Sequence, residues 1–260
     1  MISKSLLSLV HSLQQKKFRL REGLFVAEGP KVVGDMMGRY SLHTVIATSE
    51  WLSLHRSSLP DCPVFEVSPD ELRRASLLQH PQQVIALMRL PDSGTSVPKA
   101  SALSIVLDAV QDPGNMGTII RLADWFGIDS IYCSPSTADA YNPKVVQAAM
   151  GSLGRVAIVY TDLLSMLRSV GSELPVYGLT LDGDNIYSAQ LTGNGLIVMG
   201  NEGNGISPSV SDMLSRRLLI PSFHSTSTTG SAESLNVAVA TAIACSEFRR
   251  RFPVWDVWAK

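Results

Sequence analysis

Five polar side chains stand at or just after runs that read as buried strands: Asn115, Arg121, Glu202, Ser234 and Asn236. Asn115 and Arg121 follow Leu103-Ser104-Ile105-Val106-Leu107, an apolar β-branched run of the kind buried on both faces of a sheet. Glu202 follows Leu196-Ile197-Val198-Met199, and Ser234 and Asn236 come after Leu218-Leu219-Ile220-Pro221. Groups leaving separate parallel strands at their carboxyl ends can converge on one crevice, where open α/β sheets bind ligands. Backbone amides at a strand-to-helix turn, with the guanidinium of Arg121 nearby, suit a phosphate-bearing substrate.

The elements that would position these groups follow from local pattern. Asp112-Pro113-Gly114-Asn115 ends the first strand, because Pro113 lacks an amide donor and Gly114 favours a turn; helical spacing of Ile119, Ile120, Ala123 and Phe126 then predicts a helix from Gly117. Asn142-Pro143 starts another helix, and strands are expected at 130–133, 156–159 and 175–179, with a helix at 162–168. Alternating strands and helices give a mostly parallel sheet covered on both faces. The final helix is expected from Ser234 to Arg249; Leu235, Val237, Val239, Ile243 and Phe248 lie on more than one of its faces, which predicts a homodimer. Phe252, Val254, Trp255 and Trp258 add apolar surface beyond it.

The first part of the chain is a separate small α/β layer. Ser3 caps a helical pattern of Leu6, Leu9, Val10 and Leu13, whose far end carries Lys16, Lys17, Arg19 and Arg21. Six Lys or Arg between Met1 and Lys31 face only Glu22 and Glu28, so these four are candidate RNA-backbone contacts. Ser68-Pro69-Asp70-Glu71 has the spacing of a capping box. The stretch from Pro91 to Pro98 is polar and aperiodic, which places a linker at 93–100 between a domain of residues 1–92 and one of residues 101–260.

Composition excludes several classes. A formal charge of −1 gives no global sign of a nucleic-acid or membrane partner, so any basic surface is local. Cys62, Cys133 and Cys245 form no CxxC pair and have no nearby His, which argues against a metal site and for reduced thiols in a cytoplasmic protein. The apolar patch from Leu6 to Val10 is too short and too soon broken for a secretory signal, and no apolar run is long enough for a membrane span. Gly200-Asn201-Glu202-Gly203-Asn204-Gly205 has phosphate-loop spacing, but Ile206 stands where the phosphate-binding Lys must be; no GxGxxG occurs.

Three segments together resemble the ordered motifs of the SpoU/TrmH methyltransferases: Asp112 to Arg121, Gly200-Asn201-Glu202-Gly203, and Ile220-Pro221 with Glu233-Ser234-Leu235-Asn236-Val237. The likeness spans residues 101–250, and Asn142 to Val146 with Met150-Gly151-Ser152 resembles the family's linking helix. Residues 1–92 more weakly resemble an L30-like substrate-binding domain. This resemblance implies an S-adenosylmethionine-dependent 2'-O-ribose methyltransferase acting on structured RNA, rRNA ahead of tRNA, in a homodimer whose active site takes groups from both subunits. It also implies a parallel-sheet α/β fold tied in a deep trefoil knot, an exception to the rule against threaded chains. By the same likeness Met199, Gly200, Ile220 and Leu235 hold the cofactor, mainly by backbone. Arg121 acts at the 2'-hydroxyl, with Asn115, Glu202, Ser234 and Asn236 as its polar surround. The segment from Ser222 to Ala232 is longer than the family's turn, and its His224 is more readily a solvated residue than a base. A non-catalytic RNA-binding ribosome assembly factor that keeps the knot is the competing reading, and the intact polar set speaks against it.

Overall fold

A computed structural model describes residues 2–92, 97–172, 174–223 and 234–253. In chain order the elements are α1 (Lys4–Ser12), α2 (Lys16–Glu22), β1 (Leu24–Glu28), α3 (Pro30–Met36), β2 (Leu42–Ala47), α4 (Ser49–His55), β3 (Val64–Glu66), α5 (Pro69–Ala75) and β4 (Val84–Arg89). They continue with β5 (Leu103–Leu107), α6 (Pro113–Trp125), β6 (Ser130–Cys133), α7 (Pro143–Ala148), β7 (Ala157–Tyr160), α8 (Leu163–Ser169), β8 (Val176–Asn185), β9 (Gly195–Met199), α9 (Pro208–Ser211), β10 (Arg216–Leu219) and α10 (Val237–Arg251). Two units form: one from Met1–Asp92 with Asp139–Arg155, the other from Ser93–Ala138 with Val156–Lys260. Of the linker placed at 93–100, Ser93 to Ser96 lie outside the described residues.

The first unit carries a four-stranded sheet in the order β1-β4-β2-β3, antiparallel except for β2 beside β3. Val10, Leu13, Val26, Ile46, Leu72 and Leu87 share its core. The capping box closes as its spacing predicts: Ser68 Oγ accepts from Glu71 N at 3.2 Å, and Glu71 returns a carboxylate oxygen to Ser68 N at 3.0 Å. One expectation is corrected here. The single helical pattern from Ser3 to Arg21 is two helices, because the chain breaks after Leu13 and Arg19 folds back on the carbonyls of Leu13 and Gln14 at 2.7 and 2.8 Å.

The discontinuous part of this unit is held by more than apolar contact. The same guanidinium pairs with Asp139, and Arg19 is 2% exposed. Tyr141 completes an aromatic trio with Phe25 and Tyr40, whose ring centroids are 5.0 to 6.1 Å apart. Gly151 and Gly154 approach Asp35 so closely that an added Cβ would meet it at 2.5 and 2.3 Å.

The second unit has six strands in the order β10-β8-β9-β5-β6-β7, every neighbouring pair parallel. β5 and β9 are buried along their whole length, as their unbroken apolar runs require. α6 and α10 pack side by side, and Arg249 near the end of α10 donates to the carbonyls just past the end of α6, Phe126 O at 2.6 Å and Gly127 O at 2.7 Å. Both helices start differently from expectation. α6 begins at Pro113, not Gly117, because Asp112 is its N-cap and proline is suited to the first helical position; α10 begins at Val237, not Ser234, because Asn236 caps it.

Candidate active site

The carboxyl ends of β5 and β9 and the start of α10 bring three of the five predicted polar residues into one hydrogen-bonded relay. Asp112 Oδ1 accepts from Asn115 N at 2.8 Å, which fixes the first turn of α6 and with it the Asn115 amide. Asn115 Nδ2 donates to Glu202 Oε1 at 3.1 Å, and Asn236 Nδ2 donates to Asn115 Oδ1 at 2.9 Å. A carboxylate only accepts, so Glu202 settles which way the Asn115 amide faces, leaving its oxygen for Asn236. Asn236 Oδ1 in turn caps α10 through Ala238 N at 2.9 Å and Val239 N at 3.3 Å. The relay therefore joins all three sequence motifs.

Glu202 also accepts from the backbone N–H groups of Gln111 and Asp112, each at 3.3 Å. Partial burial pushes its carboxyl up, but the donors from Asn115, its own backbone, Gln111 and Asp112 together outweigh that and hold it below the usual 4.5. A carboxylate with a depressed folded value contributes stability above about pH 4.5 that is lost as pH falls through the folded value. Acidification in that range is expected to detach the loop after β9 from the Gln111-Asp112 turn before the rest of the unit unfolds. Glu202→Gln should remove that acid transition, as followed by amide exchange at Gln111 and Asp112; an identical acid profile in the variant would refute the assignment.

The loop itself is built for tight closure. A Cβ on Gly200 would lie 2.2 Å from both Gly205 C and Ile206 N, so only glycine fits there. Asn201 Oδ1 accepts from Gly203 N and Asn204 N at 2.9 and 3.1 Å, and its Nδ2 donates to Ala109 O at 2.8 Å. Asp108, nearly buried, takes Ser207 N at 2.8 Å and closes the far end of the loop. Sequence reasoning passed over Asp108, Asp112 and Asn201. The Asp-Pro pair and an Asn leading into a glycine turn were the available signals for the last two.

The other predicted residues stand apart from the relay. Arg121 is exposed six residues along α6 from Asn115, about 9 Å of helix rise, and among the described residues nothing hydrogen-bonds its guanidinium, Asp124 included. Ser234 is exposed and makes no hydrogen bond with described residues. Met199 is buried, with its carbonyl taken by Asp108 N at 2.9 Å. Gly200, Ile220 and Leu235, by contrast, have backbone N–H groups that donate to no described residue. Main-chain donors without an acceptor among the described residues, where β9 and β10 end and ahead of α10, suit a ligand recognised by backbone.

In the first unit, Lys16, Lys17 and Arg21 lie on the exposed side of α2, Lys17 and Arg21 flanking Phe18 at 4.8 and 4.7 Å from its ring centroid. Arg21 is paired with Glu22 at 2.7 Å. Arg19 must be removed from the RNA-contact set, because its charge is buried and committed to Asp139 and two carbonyls. His224 and Trp255 with Trp258 lie outside the described residues. Among the described residues no cluster of three His, Cys, Asp or Glu could hold a metal, and no helix is long and apolar enough to cross a membrane.

Comparison with known proteins agrees with the motif reading. Residues 102–246 match the SpoU rRNA Methylase family, and residues 7–86 match the MRM3-like substrate binding domain. The 23S rRNA (guanosine(2553)-2'-O)-methyltransferase RlmP of Bacillus subtilis is 30% identical over 89% of this chain and 90% of its own. A structure from Porphyromonas gingivalis described as an RNA methyltransferase of the TrmH family is 41% identical, with a TM-score of 0.88 over 96% of this chain and 99% of its own. The AdoMet-bound rRNA methyltransferase from Sinorhizobium meliloti is 27% identical, with a TM-score of 0.84 over 97% of each chain.

Proposed function

Because the chain belongs to the SpoU rRNA Methylase family, we propose that it methylates ribosomal RNA through the Asn236-Asn115-Glu202 relay, with Arg121 at the reacting hydroxyl. The chain is an RNA 2'-O-ribose methyltransferase that uses S-adenosylmethionine. Ribosomal RNA is favoured over transfer RNA, since RlmP acts on 23S rRNA. The observation that carries the assignment of roles is the relay, which ties the three motifs into a single arrangement.

S-adenosylmethionine would supply the electrophilic methyl group. Gly200, Ile220 and Leu235, whose backbone N–H groups donate to no described residue, would hold it beside the closed loop from Gly200 to Ile206. Attack by a ribose hydroxyl needs in-line alignment and the loss of one proton. A guanidinium stays protonated to above about pH 12, so Arg121 orients the 2'-oxygen and stabilises the charge that develops on it. Glu202, kept ionised by its donors, holds the turn ahead of α6 in place.

The active unit is a homodimer, and the trefoil knot lies in the second unit. Leu235 and Val239 at the start of α10 are 49% and 48% exposed, and Trp125 at the end of α6 is 84% exposed, surface that a second copy would cover. Light scattering is expected to give twice the 28.1 kDa chain mass, and a monomer at micromolar concentration would refute the dimer. The first unit is an L30-like RNA-binding domain in which Lys16, Lys17 and Arg21 meet phosphates. Reversing the charge of two of them should flatten the salt dependence of RNA binding by about one unit of slope per lost contact; an unchanged slope would leave them as solvated residues.

The activity is tested by transfer of a tritiated methyl group from S-adenosylmethionine to rRNA from a strain lacking the enzyme, beside tRNA and with calorimetric cofactor titration. Label should enter rRNA at a ribose 2'-oxygen. Cofactor binding without label in either RNA would instead favour an assembly factor.

A further inference from the structure

The first unit contains a cleft of about 840 Å³ at the carboxyl ends of β2 and β3, the one parallel pair in its sheet. That is the position at which α/β sheets expose loops for ligands, and the volume falls within the range of small-ligand sites. Pro69, Pro81 and Val67 give it flat apolar wall, while Glu50, Glu66 and Gln83 give it hydrogen-bonding edges. All of these residues fall inside the stretch matched to the MRM3-like substrate binding domain.

Two further observations mark the cleft as more than a surface hollow. Gln83 has φ +35, a left-handed value unusual for a side chain larger than glycine, and such strain clusters where ligands are gripped. Thr48, in the wall, has a buried hydroxyl oxygen with no hydrogen-bond partner among the described residues. The charge balance then selects the ligand. Glu50 and Glu66 outnumber the lining Arg73, which also pairs with Asp70 at 2.6 Å, so the lining is net acidic and does not favour phosphate. Carboxylates and amides beside apolar faces instead suit a nucleobase, which stacks on its flat side and donates from its amino and imino edge.

We propose that this cleft takes an unpaired, splayed-out base of the RNA substrate, with Glu66 and Gln83 reading its donor edge. The inference rests on the RNA methyltransferase reading above and adds to it a second point of RNA contact, made by bases where Lys16 and Lys17 meet phosphates. It predicts that the cleft contributes sequence or loop selectivity with little salt dependence.

The test measures binding of a 23S rRNA transcript to the full chain over a series of salt concentrations, for wild type, Ser49→Trp, which fills the cleft rim, and Glu66→Gln, an exposed end-of-strand change that leaves folding intact. Each variant is expected to bind about tenfold more weakly with the same salt slope, and with unaltered S-adenosylmethionine affinity. Wild-type affinity in Glu66→Gln, or tighter binding with a changed slope, would overturn the proposal by showing that the carboxylate only repels backbone. If Ser49→Trp fails to fold by circular dichroism, Glu66→Gln decides alone. Failure of the methyltransferase reading would show separately, as absence of methyl transfer by the wild-type chain.

Discussion

Replacing Arg121 by alanine is expected to slow methyl transfer to rRNA by about 10²-fold or more, because alignment and charge stabilisation at the reacting oxygen are lost together. Arg121→Lys should fall nearly as far. Lysine keeps the charge but lacks the planar fork that can contact a phosphate and a hydroxyl at once. Stability should hardly change in either variant, since the side chain is exposed and no described residue hydrogen-bonds it. Cofactor affinity should also persist, because the backbone N–H groups at Gly200, Ile220 and Leu235, which donate to no described residue, lie on other segments. Single-turnover methylation with parallel cofactor titration checks both halves. Near-normal transfer by the alanine variant would remove Arg121 from the mechanism.

Asp139→Ala is expected to destabilise the first unit by about 3 kcal/mol, the cost of leaving a buried cation without its counter-charge. Arg19 is 2% exposed and Asp139 15%, so neither water nor salt can replace the missing carboxylate fully. Arg19→Met should cost less, because the carboxylate left behind reaches solvent while the apolar chain fills the space. Urea unfolding of the two single variants and the double variant separates the pair energy from the desolvation cost. Equal losses in the two single variants would contradict the asymmetry argued from burial.

Local signals carried much of the fold. The capping box at Ser68 and Glu71 closes as written, and the unbroken apolar runs of β5 and β9 sit at the centre of a parallel sheet. The same local grammar also misled: Pro113 and Gly114 read as a turn, whereas proline at the first helical position and Asp112 at the cap start α6 there. Asn115, Glu202 and Asn236 were legible as a set because each follows a strand end or starts a helix. The relay between them was not, since 87 and 121 residues separate Asn115 from its two partners. Arg19 shows the same limit from the other side. Nothing near it in sequence announces Asp139, 120 residues away, so a buried ion pair reads as part of an RNA-contacting basic cluster.

The insertion of Asp139–Arg155 into the first unit has a consequence for synthesis. β4 ends at Arg89, yet Asp139 and Tyr141 emerge only some fifty residues later, which at about 5 to 20 residues per second takes roughly 3 to 10 s. Through that interval the nascent sheet carries an unpaired Arg19 and an incomplete Phe25-Tyr40 cluster. Its folding is therefore finished by a segment translated after the first strand and helix of the next unit, and a chain halted between Arg89 and Asp139 leaves an apolar seam open to chaperones and proteases.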